Sequence, residues 1–210
     1  MALTREKILY QGAEAKIVLT EYLGRKAVQK RRLHKRYRIK EIDEQLISLR
    51  TKEEAKLMAA ARKQGVSVPI IYDVDLKNGV ITMEYLEGSR VKDIFNLLGD
   101  DERRDLCYRI GESIAKLHNG DIIHGDITTS NMILYEDRLY FIDFGLGEIN
   151  SEVEAKGVDL HVLMEAIAST HAKYTGYFTY VIEGYQNIYH GDVKAIKSKM
   201  EEIIRRGRYR

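Results

Sequence analysis

The densest group of polar side chains in the chain is His124-Gly125-Asp126-Ile127-Thr128-Thr129-Ser130-Asn131, followed twelve residues after Asn131 by Asp143-Phe144-Gly145. The apolar segments 132–135 and 139–142 lie between the two groups and predict a short β-hairpin. An aspartate and an asparagine five positions apart thus precede a hairpin that leads into a second aspartate. This order predicts that the three polar side chains share one site.

The chemistry that fits this order is phosphoryl transfer. One carboxylate, Asp126, would orient an attacking hydroxyl and accept its proton. Mg²⁺ prefers hard oxygen ligands, and Asn131 and Asp143 supply them. Taken singly, Asp126 could cap a turn and Asp143 could end a strand, but their joint order and spacing favour the functional interpretation.

A lysine and a glutamate earlier in the chain fit the same chemistry. Lys30 ends the predicted strand 26–30, where a lysine can reach the phosphates of a nucleotide. Glu54 shares a helical face with Leu57 and Met58, and an inward carboxylate is costly unless it is paired. We therefore expect a Lys30–Glu54 ion pair, and we expect the neighbouring Glu53 to be a surface residue.

The segment Gln11-Gly12-Ala13-Glu14-Ala15 is the candidate nucleotide loop. It has one glycine, which still allows backbone N–H groups to approach a phosphate but is a weak signal alone. Glu14 would repel phosphates unless a metal ion or a basic residue intervened, and the sequence leaves both alternatives open.

The pattern of elements predicts an α+β chain with a β-rich first part and a mostly helical second part. Strands are expected at 16–23, 26–30, 70–74 and 80–85, the last two joined across Asn78-Gly79. Helical spacing covers 42–64, 101–118 and the residues after 152. We predict a boundary that separates residues 1–86 from residues 87–210.

Composition bounds the class of protein. The 210 residues are 44% hydrophobic and 31% charged, which is ordinary for a globular chain. No apolar run approaches the ~20 residues of a membrane-spanning helix, and the N-terminus lacks the apolar core of a signal peptide. Cys107 is the single cysteine, which excludes a disulfide framework and predicts a reducing, cytoplasmic location.

Two basic clusters stand out from the net charge of +2. Residues 22–40 hold nine basic residues and no acid, and residues 205–210 hold four arginines. Such clusters contact nucleic acid or acidic partners in some proteins and are solvated faces in others. We expect packing roles for Cys107 and core or surface roles for the histidines at 118, 161, 171 and 190, and we favour helical packing over base stacking for the tyrosines between 174 and 189.

These motifs together resemble the small atypical kinase of the KEOPS/EKC complex, the PRPK family of the protein-kinase superfamily. The resemblance runs nearly end to end and rests on the loop at 11–15, the basic stretch 30–38, Arg50-Thr51 and the segment 124–131. Gly125 stands where ordinary kinases carry arginine, and Thr128 where they carry lysine. Only fourteen residues separate Gly145 from Leu160, without an Ala-Pro-Glu sequence, so the resemblance implies no regulatory activation loop.

The resemblance implies a minimal bilobal protein-kinase-like fold that uses ATP and Mg²⁺. Asp126 would be the catalytic aspartate, Lys30 the lysine that contacts phosphate, and Asn131 and Asp143 the metal ligands. Further implied roles are nucleotide binding by Gln11, Gly12, Ala13, Glu14, Ala15 and Glu54, adenine recognition by the connector Glu84, Tyr85 and Leu86, and support of the catalytic loop by Asp159.

The function implied by the resemblance is that of a serine/threonine kinase or ATPase supporting threonylcarbamoyladenosine modification of tRNA next to the anticodon. Its partners would be the threonylcarbamoyl-transfer subunit, other subunits of the complex, and tRNA through the clusters 25–40 and 205–210, with no membrane. Three alternatives stay open: a nucleotide-binding scaffold with vestigial catalysis, a small-molecule kinase, and a RIO-type kinase. A scaffold would not need all five polar residues, and a small-molecule kinase would need a larger helical platform.

Overall fold

The computed structural model describes residues 7–207 and divides the chain into two compact units. The first unit comprises the residues up to Lys56 together with Pro69–Glu87, and the second comprises Leu57–Val68 together with the residues from Gly88 onward. The division thus falls inside one helix as well as after Glu87. The domain boundary expected between residues 86 and 87 therefore remains a prediction.

The first unit is built on a five-stranded antiparallel sheet in the order β1-β2-β3-β5-β4. Its strands are β1 (Lys7–Gln11), β2 (Ala15–Tyr22), β3 (Arg25–Arg32), β4 (Ile71–Asp75) and β5 (Val80–Glu84). The turn between β2 and β3 has positive φ at both Leu23 and Gly24, 49° and 77°, the form that matches the twist of a hairpin. The predicted pairing of β4 with β5 across Gly79 is also present.

Strand β1 was not predicted. All five of its residues are exposed, so its apolar side chains do not alternate between a buried and a solvent face. A bulge between Ile8 and Tyr10 further interrupts the register with β2. An edge strand of this kind gives no period-two signal in the sequence.

One long helix, α1 (Lys40–Lys63), follows β3. Its buried apolar residues Ile47, Leu57, Met58 and Ala61 lie at helical spacing. Gly65, with φ of +77°, follows its end in the left-handed conformation favoured at helix C-termini. The predicted helix 42–64 is therefore correct to within two residues at each end.

The second unit is mostly helical. Its helices are α2 (Val91–Ile94), α3 (Asp100–Asn119), α4 (Val153–Thr170), α5 (Phe178–Ile188) and α6 (Val193–Gly207). Its strands are β6 (Ser89–Arg90), β7 (Ile122–Ile123), β8 (Met132–Tyr135), β9 (Arg138–Phe141) and β10 (Glu148–Ile149), with β6-β8-β9 forming one sheet and β7-β10 another. The α+β class and the order of a β-rich region before a helical region are confirmed. None of the helices among residues 7–207 combines the length and apolarity that crossing a bilayer requires.

Helices α3 and α5 form the closest helix pair of the second unit. The predicted apolar face of α3 is buried, and so are Val181 and Tyr185 of α5. Glycines on both helices allow this approach: a Cβ at Gly111 would overlap the carbonyl oxygen of Val181, and one at Gly184 would overlap that of Tyr108. Because backbone cannot move aside as a side chain can, these two positions require glycine.

We predict that Gly111→Ala lowers the free energy of unfolding by about 1–3 kcal/mol through this overlap, although alanine favours a helix elsewhere. Thermal denaturation would show a fall of roughly 2–4 °C for each kcal/mol. Gly176→Ala is the matched control, because a Cβ at Gly176 meets no atom within 4 Å. Equal midpoints for the two variants would contradict the proposed contact.

Candidate active site

Two basic residues of β3 share the buried carboxylate of Glu54. Lys30 Nζ lies 2.6 Å from Glu54 Oε1, and Arg32 Nη2 lies 2.6 Å from Oε2. The Glu54 side chain is 1% exposed. Removing one partner of a buried ion pair leaves an uncompensated charge, so the three groups depend on one another. Glu53, by contrast, is exposed and contacts Lys56, as the sequence predicts.

Lys30 is the predicted partner of Glu54, whereas the contact with Arg32 was not predicted. The signal for Arg32 was present, because residues two apart on a strand point to the same face. A strand residue at position 32 therefore accompanies Lys30 toward α1, where its guanidinium also contacts the backbone oxygen of Arg50.

The candidate nucleotide loop forms the turn between β1 and β2. Gly12 N–H donates to Ala15 O at 2.9 Å and closes the turn. The Glu14 carboxylate accepts from Arg50 Nη1, which lies 3.0 Å from each of its oxygens. Of the two alternatives for Glu14, the structure therefore provides the basic residue.

The connector residues have mixed environments. The backbone N–H of Glu84 donates to Ile70 O at 2.8 Å, and its carboxylate accepts from Ile70 N–H at 3.1 Å. The Glu84 side chain therefore fastens the start of β4 to the end of β5. Leu86 of the connector is buried. Gln11, which belongs to the candidate nucleotide loop, is exposed at the end of β1.

Within the second unit, Asn131 and Asp126 are in direct contact. Asn131 Nδ2 donates to Asp126 Oδ2 at 2.8 Å and to Asp126 O at 3.0 Å. Because the amide nitrogen faces Asp126, the amide oxygen is the atom that Asn131 presents as a ligand. The same contact fixes the orientation of the Asp126 carboxylate.

The hairpin brings Asp143 to the same end as Asn131. Ile142 N–H donates to Asn131 O at 2.9 Å, which extends the β8–β9 register of Met132 with Phe141. Asp143 has φ of +64°, a left-handed conformation uncommon for residues other than glycine, and its carboxylate is exposed. The same conformation occurs at Glu136 and Asp137 in the β8–β9 turn, and aspartate adopts it more readily than most residues.

Asn131 and Asp143 are suitable ligands for Mg²⁺, because both side chains offer hard oxygen atoms. No cluster of three or more histidine, cysteine, aspartate or glutamate side chains suited to a metal occurs among residues 7–207. A Mg²⁺ ion needs no such cluster, since it commonly keeps waters and is held by one or two carboxylates together with substrate phosphates.

Asp159 of α4 supports the backbone of the loop that carries Asp126. Its carboxylate accepts from the N–H of His124 at 2.7 Å and from that of Gly125 at 2.8 Å. Gly125 has φ of +82°, and a Cβ there would overlap the carbonyl oxygen of Leu146. The local backbone therefore requires glycine at position 125.

The rings of His124 and Phe144 pack against each other next to Asp126. Both are buried, with ring centroids 4.5 Å apart. His124 Nε2 lies 3.1 Å from Ile142 O, and His124 Nδ1 lies 3.3 Å from the N–H of Asp126. Burial lowers the pKa of His124 and so favours the neutral ring. This ring donates from Nε2 to Ile142 O and accepts at Nδ1 from the backbone N–H of Asp126.

The remaining histidines lie apart from any metal-binding arrangement in the described chain. His118 is buried between Asp159 and Tyr185, and His171 is buried between Thr129 and Asn96. His190 is exposed and His161 half-buried. Burial also raises the pKa of the Cys107 thiol to about 12, in keeping with a packing role.

The tyrosines from 174 to 189 pack against other side chains of the helical unit. Tyr174 and Tyr177 lie against the guanidinium of the buried Arg103, whose carbon is 3.8 Å and 5.1 Å from the two ring centroids. Tyr185 is fully buried and stacks on Tyr189. Packing therefore accounts for these rings.

The basic clusters are only partly available for a partner. Lys30 and Arg32 are buried on Glu54, and Arg38 contacts the buried Asp43. Arg36 is exposed. In the second cluster Arg206 contacts Glu154 and Glu202; Arg208, Tyr209 and Arg210 lie outside the described residues.

The buried histidines predict a loss of stability in acid. Burial lowers the pKa of His118, His124 and His171, so the folded chain resists protonating them. The unfolded imidazoles take up protons below about pH 6.5, so the unfolded state binds more protons there. The free energy of unfolding should fall as the pH drops below that value, by up to about 1.4 kcal/mol per pH unit for each histidine.

Urea denaturation between pH 7.5 and pH 5.5 measures this fall. His171→Gln should reduce the slope, whereas His190→Asn, at an exposed position, should keep the wild-type slope. A free energy of unfolding that stayed constant or rose over this interval would contradict the prediction.

Comparison with known proteins places the chain. The RIO domain family matches residues 13–147. KEOPS complex subunit Bud32 of Pyrococcus abyssi is 47% identical over 97% of this chain and 96% of its own length. A probable bifunctional tRNA threonylcarbamoyladenosine biosynthesis protein of Methanobrevibacter smithii is 46% identical, and the chain spans 37% of its length.

A solved structure has the same fold. The Rio2 kinase of Chaetomium thermophilum, in a complex described as ADP/Mg²⁺-phosphoaspartate, superposes with a TM-score of 0.67 at 15% identity. The match covers 95% of this chain and 65% of that one. Since the sequence match is nearly complete for this KEOPS subunit and the RIO domain match includes both Asp126 and Asp143, the chain belongs to the Bud32 family of RIO-domain, atypical protein kinases.

Proposed function

We propose that this chain is an ATP- and Mg²⁺-dependent phosphotransferase or ATPase that serves the KEOPS complex in forming threonylcarbamoyladenosine on tRNA. Its near full-length relative is named as a subunit of that complex, and its longer relatives are named for biosynthesis of that nucleoside. The chain spans 37% of the length of the longer relative, and we assign the transfer of the threonylcarbamoyl group to a partner subunit.

The observation that carries the proposal is the contact between Asn131 and Asp126. One amide fixes the carboxylate that would take a proton and leaves its own oxygen as the atom that could bind a cation. The hairpin register adds Asp143 at the same end. A purely structural cluster has no need for two oxygen ligands beside an oriented, half-exposed carboxylate.

The side chains take the following roles. Asp126 accepts the proton of the attacking oxygen, and Lys30, held by Glu54, stabilises negative charge on the phosphates. The loop 11–15 receives the phosphates and the connector Glu84–Leu86 receives the adenine. Asn131 and Asp143 would hold Mg²⁺, which when bound neutralises charge that develops on the transferred phosphoryl group.

The acceptor that we propose is a serine or threonine hydroxyl, with water as the acceptor when the chain acts as an ATPase. Both acceptors present an O–H to Asp126. The proposed partners are the threonylcarbamoyl-transfer subunit, other subunits of the complex, and tRNA, which would be bound by the basic clusters 25–40 and 205–210. We propose that the chain and these partners act in the cytoplasm.

We predict that Asp126→Asn reduces ATP turnover by about 10²–10⁴-fold, because the amide cannot accept the proton. Binding of Mg²⁺–ATP should persist, since the substitution removes no proposed phosphate or adenine contact. The measurement is phosphate release, with and without the transfer subunit and tRNA, alongside calorimetric binding of ATP.

Asp101→Asn is the matched control, because the Asp101 side chain is 98% exposed on α3. It should retain wild-type turnover. Wild-type turnover in the Asp126 variant would refute the catalytic role, and an absence of ATP binding by the wild type would refute the proposed function.

A further inference from the structure

The turn that carries the candidate nucleotide loop is fastened to the segment that follows β3. Leu33 N–H donates to Glu14 O at 2.9 Å, and the Lys35 ammonium donates to Ala13 O. Arg50 of α1 adds the ion pair with the Glu14 carboxylate. The tip of the turn is therefore held from one side by three contacts.

Glu14 is the single acidic residue between positions 7 and 20. It lines a narrow cavity with four basic residues, Arg32, Lys35, Arg38 and Arg50. Arg32 is engaged with Glu54 and Arg38 with Asp43. Arg50 is the residue whose guanidinium meets both oxygens of Glu14.

This ion pair is too exposed to be explained by stability. The Arg50 side chain is 37% exposed and that of Glu14 is 48% exposed. Exposed ion pairs contribute little to folding. A carboxylate in a turn that receives polyphosphate would, however, repel that ligand over distances up to the Debye length of roughly 8 Å. The charge of Glu14 matters for binding more than for folding.

We propose that Arg50 is a positioning residue for the nucleotide. It neutralises Glu14 and fixes the turn, so that the phosphates approach the turn with little opposing charge. This inference rests on the proposed function and adds to it a residue that touches neither phosphate nor metal.

The inference predicts a rescue within a double-mutant cycle. Arg50→Ala leaves the Glu14 carboxylate uncompensated and should weaken binding of a non-hydrolysable Mg²⁺–ATP analogue by about fivefold or more. Glu14→Gln removes the negative charge and should tighten that binding by about twofold. The double variant should recover most of the affinity that Arg50→Ala loses, because no unpaired carboxylate remains.

Binding of adenosine, which carries no charge, distinguishes an effect on the phosphates from a change in the shape of the binding site. Because adenosine has no phosphate, Arg50→Ala should leave its dissociation constant unchanged. Arg104→Ala is the matched control for removing an arginine, since Arg104 pairs with the exposed Asp101 on α3. It should bind the ATP analogue as the wild type does.

Hydrogen exchange of the nucleotide-free chain gives a second readout. The Gly12 amide, which closes the turn, should exchange faster in Arg50→Ala than in the wild type or in Arg104→Ala. An unchanged exchange rate would overturn the fastening of the turn.

Each other outcome is also decisive. If Glu14→Gln fails to rescue Arg50→Ala, Arg50 contacts the phosphates itself and the inference is wrong, while the proposed function stands. If adenosine binding weakens as much as binding of the ATP analogue, the role of Arg50 is structural only. If the wild type binds no ATP analogue, the proposed function fails and takes this role of Arg50 with it.

Discussion

The buried carboxylate of Glu54 is the constraint on which the first unit depends. It is 1% exposed and meets a lysine on one oxygen and an arginine on the other. A carboxylate in such a place is costly without partners, and two buried cations are equally costly without it. The three groups therefore fix α1 against β3. They thereby set the position of Lys30 on β3 and that of Arg50, which lies about one turn before Glu54 on α1.

The second unit has an equivalent centre in Asp159. Its carboxylate accepts hydrogen bonds from two consecutive backbone N–H groups of the loop that carries Asp126, and it also contacts the buried His118. Gly125 permits the loop to turn at that point because no Cβ would fit beside Leu146. The loop that presents Asp126 is thus shaped from beneath by buried groups rather than by the reacting residues themselves.

Long, periodic elements were predictable from sequence, and exposed or very short ones were not. Helix α1 and the β2–β3 and β4–β5 hairpins have strong apolar periods or turn residues, so their predicted positions agree with the structure. Strand β1 is fully exposed, and β6, β7 and β10 have two residues each, too few to show any period. Within the site, the spacing of Asp126, Asn131 and Asp143 predicted their proximity along one hairpin. Arg32 was missed because the predicted strand ended at Lys30, whereas β3 continues to Arg32. The role of Arg50 was missed because its contact with Glu14 joins α1 to a turn 36 positions away, for which no local pattern gives a signal.

If the Glu54 carboxylate positions Lys30 to contact the phosphates of a nucleotide, loss of that carboxylate should lower the rate of ATP turnover. The direct measurement compares ATP turnover by the Glu54→Gln variant with that by the Glu53→Gln variant. The two glutamates are adjacent on α1, but Glu54 is buried on Lys30 and Arg32 whereas Glu53 is exposed on Lys56. With both variants shown to be folded by circular dichroism, Glu54→Gln should lose at least about tenfold in turnover, equivalent to about 1.4 kcal/mol, and Glu53→Gln should match the wild type. Equal turnover in the two variants would contradict the account.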